Sequence, residues 1–199
     1  GMKDKIIHPW MFKKDEVHAF AWWKKFLTPE ECKQIIKDNK SKLKKGRVST
    51  ELVVNDKIRD SYINFISPTS KYHPLFEKLT GVILDLNKQF FKFDLIGLTE
   101  GIQFTNYKVQ KGKSGFYDKH TDCVYNKIIR KLSISIQLSD PKTYEGGDLL
   151  LYSEAKPLKM KKEQGTLIIF PSYTLHEVTP VTKGERNSLV CWVTGPQFK

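Results

Sequence analysis

The chain is organised around residues 116–122, which read Phe-Tyr-Asp-Lys-His-Thr-Asp. In this stretch His120 and Asp122 lie two positions apart, and side chains two apart on a β-strand point to the same face of a sheet. An imidazole nitrogen and a carboxylate oxygen that converge on one point supply most of a small metal site. A His-Asp pair at the end of an ordinary surface strand would have the same spacing. A third ligand elsewhere in the chain is therefore needed to distinguish a metal site from such a pair.

That further ligand is predicted within residues 165–192, where an apolar run typical of a buried strand leads to His176. Ten positions later, Arg186 and Ser188 share one face of another apolar strand. Two histidines and one carboxylate with open coordination positions form the facial triad of non-haem Fe(II) oxygenases. An inward-facing arginine and hydroxyl would suit the distal carboxylate of an organic acid bound beside the metal.

Together these features resemble the Fe(II)/2-oxoglutarate dioxygenases and, within them, the prolyl 4-hydroxylase-like group. The resemblance covers about residues 26–194, and its specificity lies in the order of several separate motifs. The matching positions are Tyr107, Tyr117-x-x-His120-x-Asp122, Arg130-Lys131-Leu132-Ser133, Glu145-Gly146-Gly147, His176, Arg186 and Trp192. One departure is informative. Procollagen-type enzymes typically carry Lys where Arg186 stands, whereas Arg is usual in oxygen-sensing and many bacterial relatives.

The resemblance implies an enzyme that uses Fe(II), with 2-oxoglutarate and O2 as cosubstrates and ascorbate as a stimulant, and that releases succinate and CO2. It also implies two sets of site residues, both of catalytic importance. These are His120, Asp122 and His176 for iron, and Arg186, Ser188 and the Tyr107 hydroxyl for 2-oxoglutarate.

The implied substrate is a peptide or protein, with proline as the hydroxylated residue. Tyr117, Trp192 and Arg59 are expected at the substrate mouth, although Trp192 could equally belong to the core and Tyr117 could simply be packed. Residues 47–66 could fold over the substrate or form an ordinary hairpin. Two other functions stay open: an oxygenase acting on a nucleobase or small molecule, and a non-catalytic metal-binding jelly roll. A carboxylate anchor beside the metal argues against the second.

From about residue 93 the sequence predicts short strands separated by turns, the pattern of a β-sandwich or barrel. Residues 131–138 show the alternation of apolar and polar side chains, and residues 108–115 are predicted as a basic loop. We expect a mainly β fold with supporting helices (α+β). Its core is a double-stranded β-helix (jelly-roll) with N-terminal helices packed on one sheet.

Two helices are predicted before this core. The first begins with Thr28 as N-cap, Pro29 in the first turn and Glu31 completing a capping box, and ends near Lys40. The second begins at His73. The whole chain, 1–199, is predicted to be a single dioxygenase domain. Residues 1–95 would form a helix-rich support and lid region, and residues 96–199 the jelly-roll catalytic core.

The net charge of +12 raises the question of nucleic acid. The excess is spread evenly, because residues 1–100 carry 19 basic and 13 acidic groups and residues 101–199 carry 15 and 9. Only four of the 34 basic residues are arginines, which dominate base and phosphate recognition. A nucleic-acid partner is therefore possible but less favoured than a peptide.

No stretch approaches the roughly 18 apolar residues of a membrane helix, and residues 2–9 lack the apolar centre of a signal peptide. The three cysteines are scattered, without the spacing of a metal site. We therefore expect reduced thiols, no membrane contact and a cytoplasmic location. The sequence leaves the oligomeric state and the identity of the substrate open.

Overall fold

The computed structural model describes residues 10, 12, 16, 18–46 and 57–198. Two α-helices are present in this part, α1 (Pro29–Lys40) and α2 (His73–Leu86). A π-helical turn, Asn87–Phe91, continues α2, and a 3-10 turn covers Pro141–Thr143. The strands, numbered in chain order, are β1 (Ala21–Trp23), β2 (Lys44–Lys45), β3 (Arg59–Asp60), β4 (Tyr62–Ile66), β5 (Ile102–Gln110), β6 (Lys113–Ser114), β7 (Phe116–His120), β8 (Val124–Tyr125), β9 (Ile128–Gln137), β10 (Glu145–Gly146), β11 (Leu149–Leu151), β12 (Leu158–Lys159), β13 (Leu167–Pro171), β14 (His176–Val178), β15 (Val181–Lys183) and β16 (Glu185–Thr194).

The predicted capping box begins α1. Thr28 Oγ1 accepts a hydrogen bond from the Glu31 amide at 3.2 Å, and the Glu31 carboxylate accepts one from the Thr28 amide at 3.0 Å. Pro29 suits the first turn because its missing N–H would have no helical partner there. The second predicted helix is also confirmed and begins at His73.

One face of the main sheet packs into the apolar core, and the other carries polar side chains. Its strands are ordered β1-β13-β9-β16-β5-β4-β2 within the described residues, with β6 on β5 and β8 on β9. Alternate residues such as Phe104 and Ile136 share one buried core with Ile35 of α1 and Leu79 of α2. The helices therefore cover this face, as predicted. The opposite face of the same strands carries an unusual density of polar side chains.

A second sheet lies opposite that polar face, in the order β12-β11-β14-β7-β3 within the described residues. Leu151 and Val178 from this sheet share a smaller core with Ile168 and Phe170 from the main sheet. The two facing sheets form the predicted jelly roll. A third, small pairing joins β10 to β15. The polar space between the sheets is where the candidate site lies.

Two local predictions are wrong. Asp122 lies beyond the end of β7, because its amide donates to the Ser172 carbonyl at 3.0 Å instead of continuing the strand ladder. Residues 108–115 are not a loop: β5 continues to Gln110 and turns back into β6. The turn residues Lys111 and Gly112 both have positive φ angles, 52° and 75°, which suit a two-residue hairpin turn.

Several expectations keep their standing as predictions. The proposed lid region includes residues 47–56, which lie outside the described residues. The boundary near residue 95 is also a prediction, and β4, which precedes it, pairs with β5, which follows it. No helix in the described ranges is long and apolar enough to cross a membrane. The cytoplasmic location stays a prediction.

All three cysteines are free thiols, as expected. Cys32 and Cys191 are buried, and burial raises the pKa of both, that of Cys32 to about 12. Cys123 is half-buried.

Candidate active site

Three predicted ligands meet where β7 and β14 run side by side. His120 ends β7 and is the register partner of His176 at the start of β14. Asp122 follows His120 by two positions and turns back towards both rings. One ligand atom from each of the three residues lies within 4.8 Å of the other two, and no other such group occurs among the described residues.

Backbone carbonyls fix the orientation of both imidazoles. His120 Nδ1 lies 2.7 Å from the Asp118 carbonyl oxygen, and His176 Nδ1 lies 2.9 Å from the Thr174 carbonyl oxygen. A carbonyl can only accept, so each Nδ1 carries the hydrogen and each Nε2 presents its lone pair to the space shared with Asp122. Burial, together with the charge of His176, lowers the pKa of His120 to about 4. His120 is therefore neutral, the form that binds metal.

The Asp122 carboxylate is held from one side. Its Oδ2 accepts hydrogen bonds from Ser133 Oγ at 2.8 Å and from the Trp192 indole N–H at 3.0 Å. Burial alone would raise the pKa of Asp122, but His176, His120 and these two hydrogen bonds outweigh it and lower the pKa. No described residue donates a hydrogen bond to Oδ1, which lies 3.5 Å from His120 Nε2. Two imidazoles with Nε2 directed at the shared space and one ionised carboxylate oxygen are a ligand set that would suit Fe(II).

A cavity opens from these ligands into the space between the sheets. Its volume is about 60 Å³, several times the roughly 10–15 Å³ that one water needs on the same measure. Its wall includes Tyr107, Ser135, Val190 and Arg186 from the main sheet and Leu149 from the second sheet. The cavity can therefore hold a small organic molecule next to the metal ligands.

Arg186 is buried in this wall without a carboxylate partner among the described residues. Only 5% of the residue is exposed, and its guanidinium carbon lies 5.8 Å from the centre of the Tyr107 ring. Ser188, on the same face of β16, lies deeper and does not line the cavity. Its fully buried Oγ has no hydrogen-bond partner. A buried cation and an unsatisfied hydroxyl are costly unless a ligand completes them. They favour an anionic ligand that reaches inward from the metal.

The Tyr107 hydroxyl is the third predicted donor. Tyr107 faces Arg186 across the β5–β16 pairing. Burial raises the pKa of its phenol despite the opposing charges of Arg59 and Arg186. Tyr107 therefore keeps its O–H, and it can donate a hydrogen bond to an anion in the cavity.

The three residues predicted at the substrate mouth also line the cavity. The Arg59 guanidinium lies over the Tyr117 ring at 4.6 Å, and that ring stacks on His120 with 3.6 Å between centroids. Arg59 Nε also donates to Ser61 Oγ at 2.6 Å. Trp192 presents its N–H to Asp122, as described above. Arg59 therefore packs on Tyr117, and Tyr117 packs on His120.

Sequence reasoning missed the supports of Asp122. Ser133 was included only as part of a motif, and Ser172 and the indole of Trp192 were not connected with the carboxylate. Ser133 Oγ lies 3.0 Å from Ser172 Oγ as well as 2.8 Å from Asp122. The alternation of Ser133 and Ser135 with apolar residues was the available signal, because small polar side chains on an inward face require partners.

Gly147 provides the space that Arg186 occupies. Its φ is +61°, and a Cβ there would come within 3.2 Å of Arg186 Cδ and 2.8 Å of Val181 Cγ2. We expect Gly147→Ala to displace the Arg186 side chain and weaken 2-oxoglutarate binding on the order of 10-fold while metal binding is kept, as measured by titration of the metal-loaded protein.

The matched control for that substitution is Gly112→Ala. Gly112 has a similar φ of +75° but open space around its Cβ direction. It reproduces the backbone strain without touching Arg186. Equal losses of 2-oxoglutarate affinity in the two variants would show that strain, and not the contact with Arg186, is responsible.

Comparison with known proteins agrees with this geometry. The profile of the 2OG-Fe(II) oxygenase superfamily matches residues 102–194. A PKHD-type hydroxylase of Prochlorococcus marinus is 43% identical over 94 residues, which is 47% of this chain and 41% of that protein. A PKHD-type hydroxylase of Klebsiella pneumoniae is 30% identical over 129 residues, 60% of this chain and 56% of that protein. The chain thus spans about half the length of these curated relatives, or less.

Solved structures share the fold. A prolyl-4-hydroxylase of Pseudomonas putida superposes with a TM-score of 0.71 at 20% identity, over 90% of this chain and 94% of that one. A prolyl hydroxylase of Trichoplax adhaerens, in complex with a peptide fragment of the hypoxia inducible factor oxygen degradation domain, gives 0.74 at 21% identity, over 89% and 84%.

Two facing sheets with a buried His-Asp-His group between them are the architecture of a jelly roll with a candidate metal site. Residues 102–194, a little under half of the chain, match the 2OG-Fe(II) oxygenase superfamily. Within that superfamily it resembles the prolyl 4-hydroxylase-like group.

Proposed function

We propose that this protein is an Fe(II)- and 2-oxoglutarate-dependent dioxygenase that hydroxylates a peptidyl, specifically prolyl, substrate. One observation carries the proposal: a single cavity joins the His120, Asp122 and His176 group to the buried Arg186, which has no carboxylate partner within the described part of the chain. A metal site alone would need no such cation. A carboxylate-binding site alone would need no pair of imidazoles oriented by backbone carbonyls.

The bound iron would supply the oxidation, in which O2 and 2-oxoglutarate give succinate, CO2 and a hydroxyl group on the substrate carbon. The protein supplies binding and orientation. His120 and His176 present their Nε2 atoms, each fixed by a carbonyl on Nδ1, and Asp122 supplies its Oδ1. These three residues would hold the iron at one end of the cavity and leave its remaining positions to the cosubstrates.

Arg186 would bind the far carboxylate of 2-oxoglutarate through charge-assisted hydrogen bonds, which are strong in a buried site. Ser188 Oγ and the Tyr107 hydroxyl would donate to the same carboxylate. Ascorbate would act only by keeping the iron reduced.

A peptide substrate would lie across the mouth formed by Tyr117, Arg59 and Trp192. Support comes from the PKHD-type hydroxylases and from the Trichoplax adhaerens structure, whose ligand is a peptide. The stacked Arg59 and Tyr117 side chains place an aromatic ring and a positive charge together at the mouth. This combination suits a proline ring, which is apolar and whose nitrogen carries no hydrogen to donate.

The decisive experiment is turnover without substrate. Protein loaded with Fe(II) should convert 2-oxoglutarate to succinate slowly in air, and succinate is measured by mass spectrometry. Absence of succinate from metal-loaded protein that binds 2-oxoglutarate would contradict the proposed reaction. This test needs no knowledge of the peptide.

The class of substrate can be separated by its response to salt. Lys108, Lys111, Lys113 and Lys119 lie close to the metal strand in sequence and would attract a polyanion. Six to ten phosphate contacts would lose about 10³–10⁵-fold in affinity between 50 and 200 mM salt. A peptide held by backbone hydrogen bonds and aromatic contacts should change by only a few-fold.

We expect a proline-containing peptide to gain 16 mass units with a shallow dependence on salt. Screening proline peptides and short oligonucleotides in parallel by mass spectrometry checks this, with the His176→Ala protein as the blank. Product on the oligonucleotide alone would overturn the prolyl assignment and leave the oxygenase assignment in place.

A further inference from the structure

Outside the cavity, a buried ion pair lies close to the back of Asp122. The Glu100 carboxylate accepts two hydrogen bonds from the Arg130 guanidinium, from Nε at 2.8 Å and from Nη2 at 2.6 Å. Only 11% of the Glu100 side chain and 6% of the Arg130 side chain are exposed. A two-point contact of this kind fixes both the position and the plane of a guanidinium group.

The fixed guanidinium lies between two aromatic rings. Its central carbon is 3.9 Å from the centre of the Trp192 ring and 4.7 Å from that of Tyr125. A cation at the shorter distance binds strongly to the face of an indole, the best ring for this interaction. It also draws electron density from the ring, which makes the indole N–H a better hydrogen-bond donor.

That indole N–H is one of the two donors to Asp122 Oδ2, at 3.0 Å. Glu100, Arg130, Trp192 and Asp122 are therefore in contact in series. They come from four separate segments: the turn before β5, strand β9, strand β16 and the residues after β7. Ser133, the second donor to Oδ2, is also on β9 and forms its own direct hydrogen bond.

We propose that Glu100 and Arg130 are positioning residues for the metal centre and act on Asp122 through Trp192. With Oδ2 held by the indole and by Ser133, only Oδ1 is available to the metal, and Asp122 binds through one oxygen. Without the Glu100–Arg130 ion pair, the indole of Trp192 is neither held in one plane nor polarised by a cation. Asp122 Oδ2 then loses this donor, and the carboxylate can rotate. This inference rests on the metal site of the proposed function.

The alternative is that the ion pair only ties the turn before β5 to β9. Both possibilities predict some loss of stability when Glu100 is replaced, so stability cannot separate them. They differ in metal affinity, because groups that orient a metal ligand typically change that affinity by about 10–100-fold. They differ also in whether the effect of Glu100 depends on Trp192.

The experiment is a double-mutant cycle on metal binding. Metal-free protein is titrated with Mn(II), followed by electron paramagnetic resonance, and with Co(II), followed by visible absorption, for wild type, Glu100→Gln, Trp192→Phe and the double variant. We expect Glu100→Gln to weaken Mn(II) about 10-fold or more and to change the Co(II) spectrum, since a rotated carboxylate changes the coordination. In the Trp192→Phe background, Glu100→Gln should have no further effect.

Two further variants guard the interpretation. Asp38→Asn breaks a different ion pair, in which Asp38 on α1 lies 3.0 Å from Lys71. This variant should leave metal affinity unchanged. Arg130→Lys keeps the charge over the indole but loses the two-point contact, and should fall between wild type and Glu100→Gln. It also serves if the Glu100 variant does not fold.

The outcomes separate this inference from the proposed function. Wild-type protein that binds neither Mn(II) nor Co(II) would overturn both. Tight binding by wild type with unchanged affinity and spectrum in Glu100→Gln and Arg130→Lys would overturn the positioning role alone. A loss of affinity in Glu100→Gln that persists in full without the Trp192 indole would show that the ion pair acts by another route, and would also overturn the inference.

Discussion

Replacing His120 or His176 by alanine is expected to leave a folded protein that holds no stoichiometric Fe(II). Each histidine supplies one of three ligands, and the described residues contain no other His, Asp, Glu or Cys group at ligating distance to take its place. Residues that merely orient a ligand already contribute about 10–100-fold to metal affinity. Loss of a ligand should therefore weaken Fe(II) by at least about 100-fold.

The measurement is metal content after stripping with a chelator and anaerobic reloading with Fe(II). Reloading is needed because later divalent ions such as Ni(II) and Zn(II) bind such sites more tightly and can occupy them during isolation. His73→Ala is the matched control, since His73 is exposed on α2 and its ring pairs with Glu77, at 3.4 Å, away from the three ligands. Full iron loading of the His120→Ala and His176→Ala proteins would remove the site assignment.

The parts of the fold that were predictable from sequence are those fixed by neighbouring residues. The start of α1 follows from Thr28, Pro29 and Glu31, which satisfy each other within one turn. The alternation in residues 131–138 predicted which side chains of β9 face the helices and which face the cavity. The alternation of side chains between the two faces is the same whichever strand lies alongside, because it depends only on the pleat of the strand itself.

The parts that were not predictable depend on which strands become neighbours. The indole of Trp192 reaches Asp122 because β16 lies beside β9, with Trp192 opposite Ser133. No local pattern around either residue contains that pairing. The position of Asp122 beyond the end of β7 likewise depends on a carbonyl of Ser172, fifty residues away in the chain. The order of the motifs predicted the candidate metal ligands, whereas the residues that support them depend on the strand register.

Arg186→Ala is expected to abolish effective 2-oxoglutarate binding while leaving the metal in place. The substitution removes the partner of a buried carboxylate, and leaving such a charge unpaired costs roughly 2–5 kcal/mol. That range corresponds to about a 30- to 5,000-fold loss of affinity. Metal binding should be kept, because Arg186 donates no hydrogen bond to His120, Asp122 or His176. Anaerobic titration of the Fe(II) protein with 2-oxoglutarate, followed by the charge-transfer band of the complex, measures the loss.

Two further variants separate the contributions of the charge, the two-point contact and the Ser188 hydroxyl to 2-oxoglutarate binding. Arg186→Lys keeps the charge but loses the two-point contact, so it should bind 2-oxoglutarate better than Arg186→Ala and worse than wild type. Ser188→Ala removes one neutral hydrogen bond and should cost only about 0.5–1.5 kcal/mol. It also removes a buried hydroxyl that has no hydrogen-bond partner, so the variant without 2-oxoglutarate should be at least as stable as wild type. Unchanged 2-oxoglutarate affinity in Arg186→Ala would mean that the buried guanidinium does not bind the far carboxylate. The order of affinities among the three variants would show how much each donor contributes.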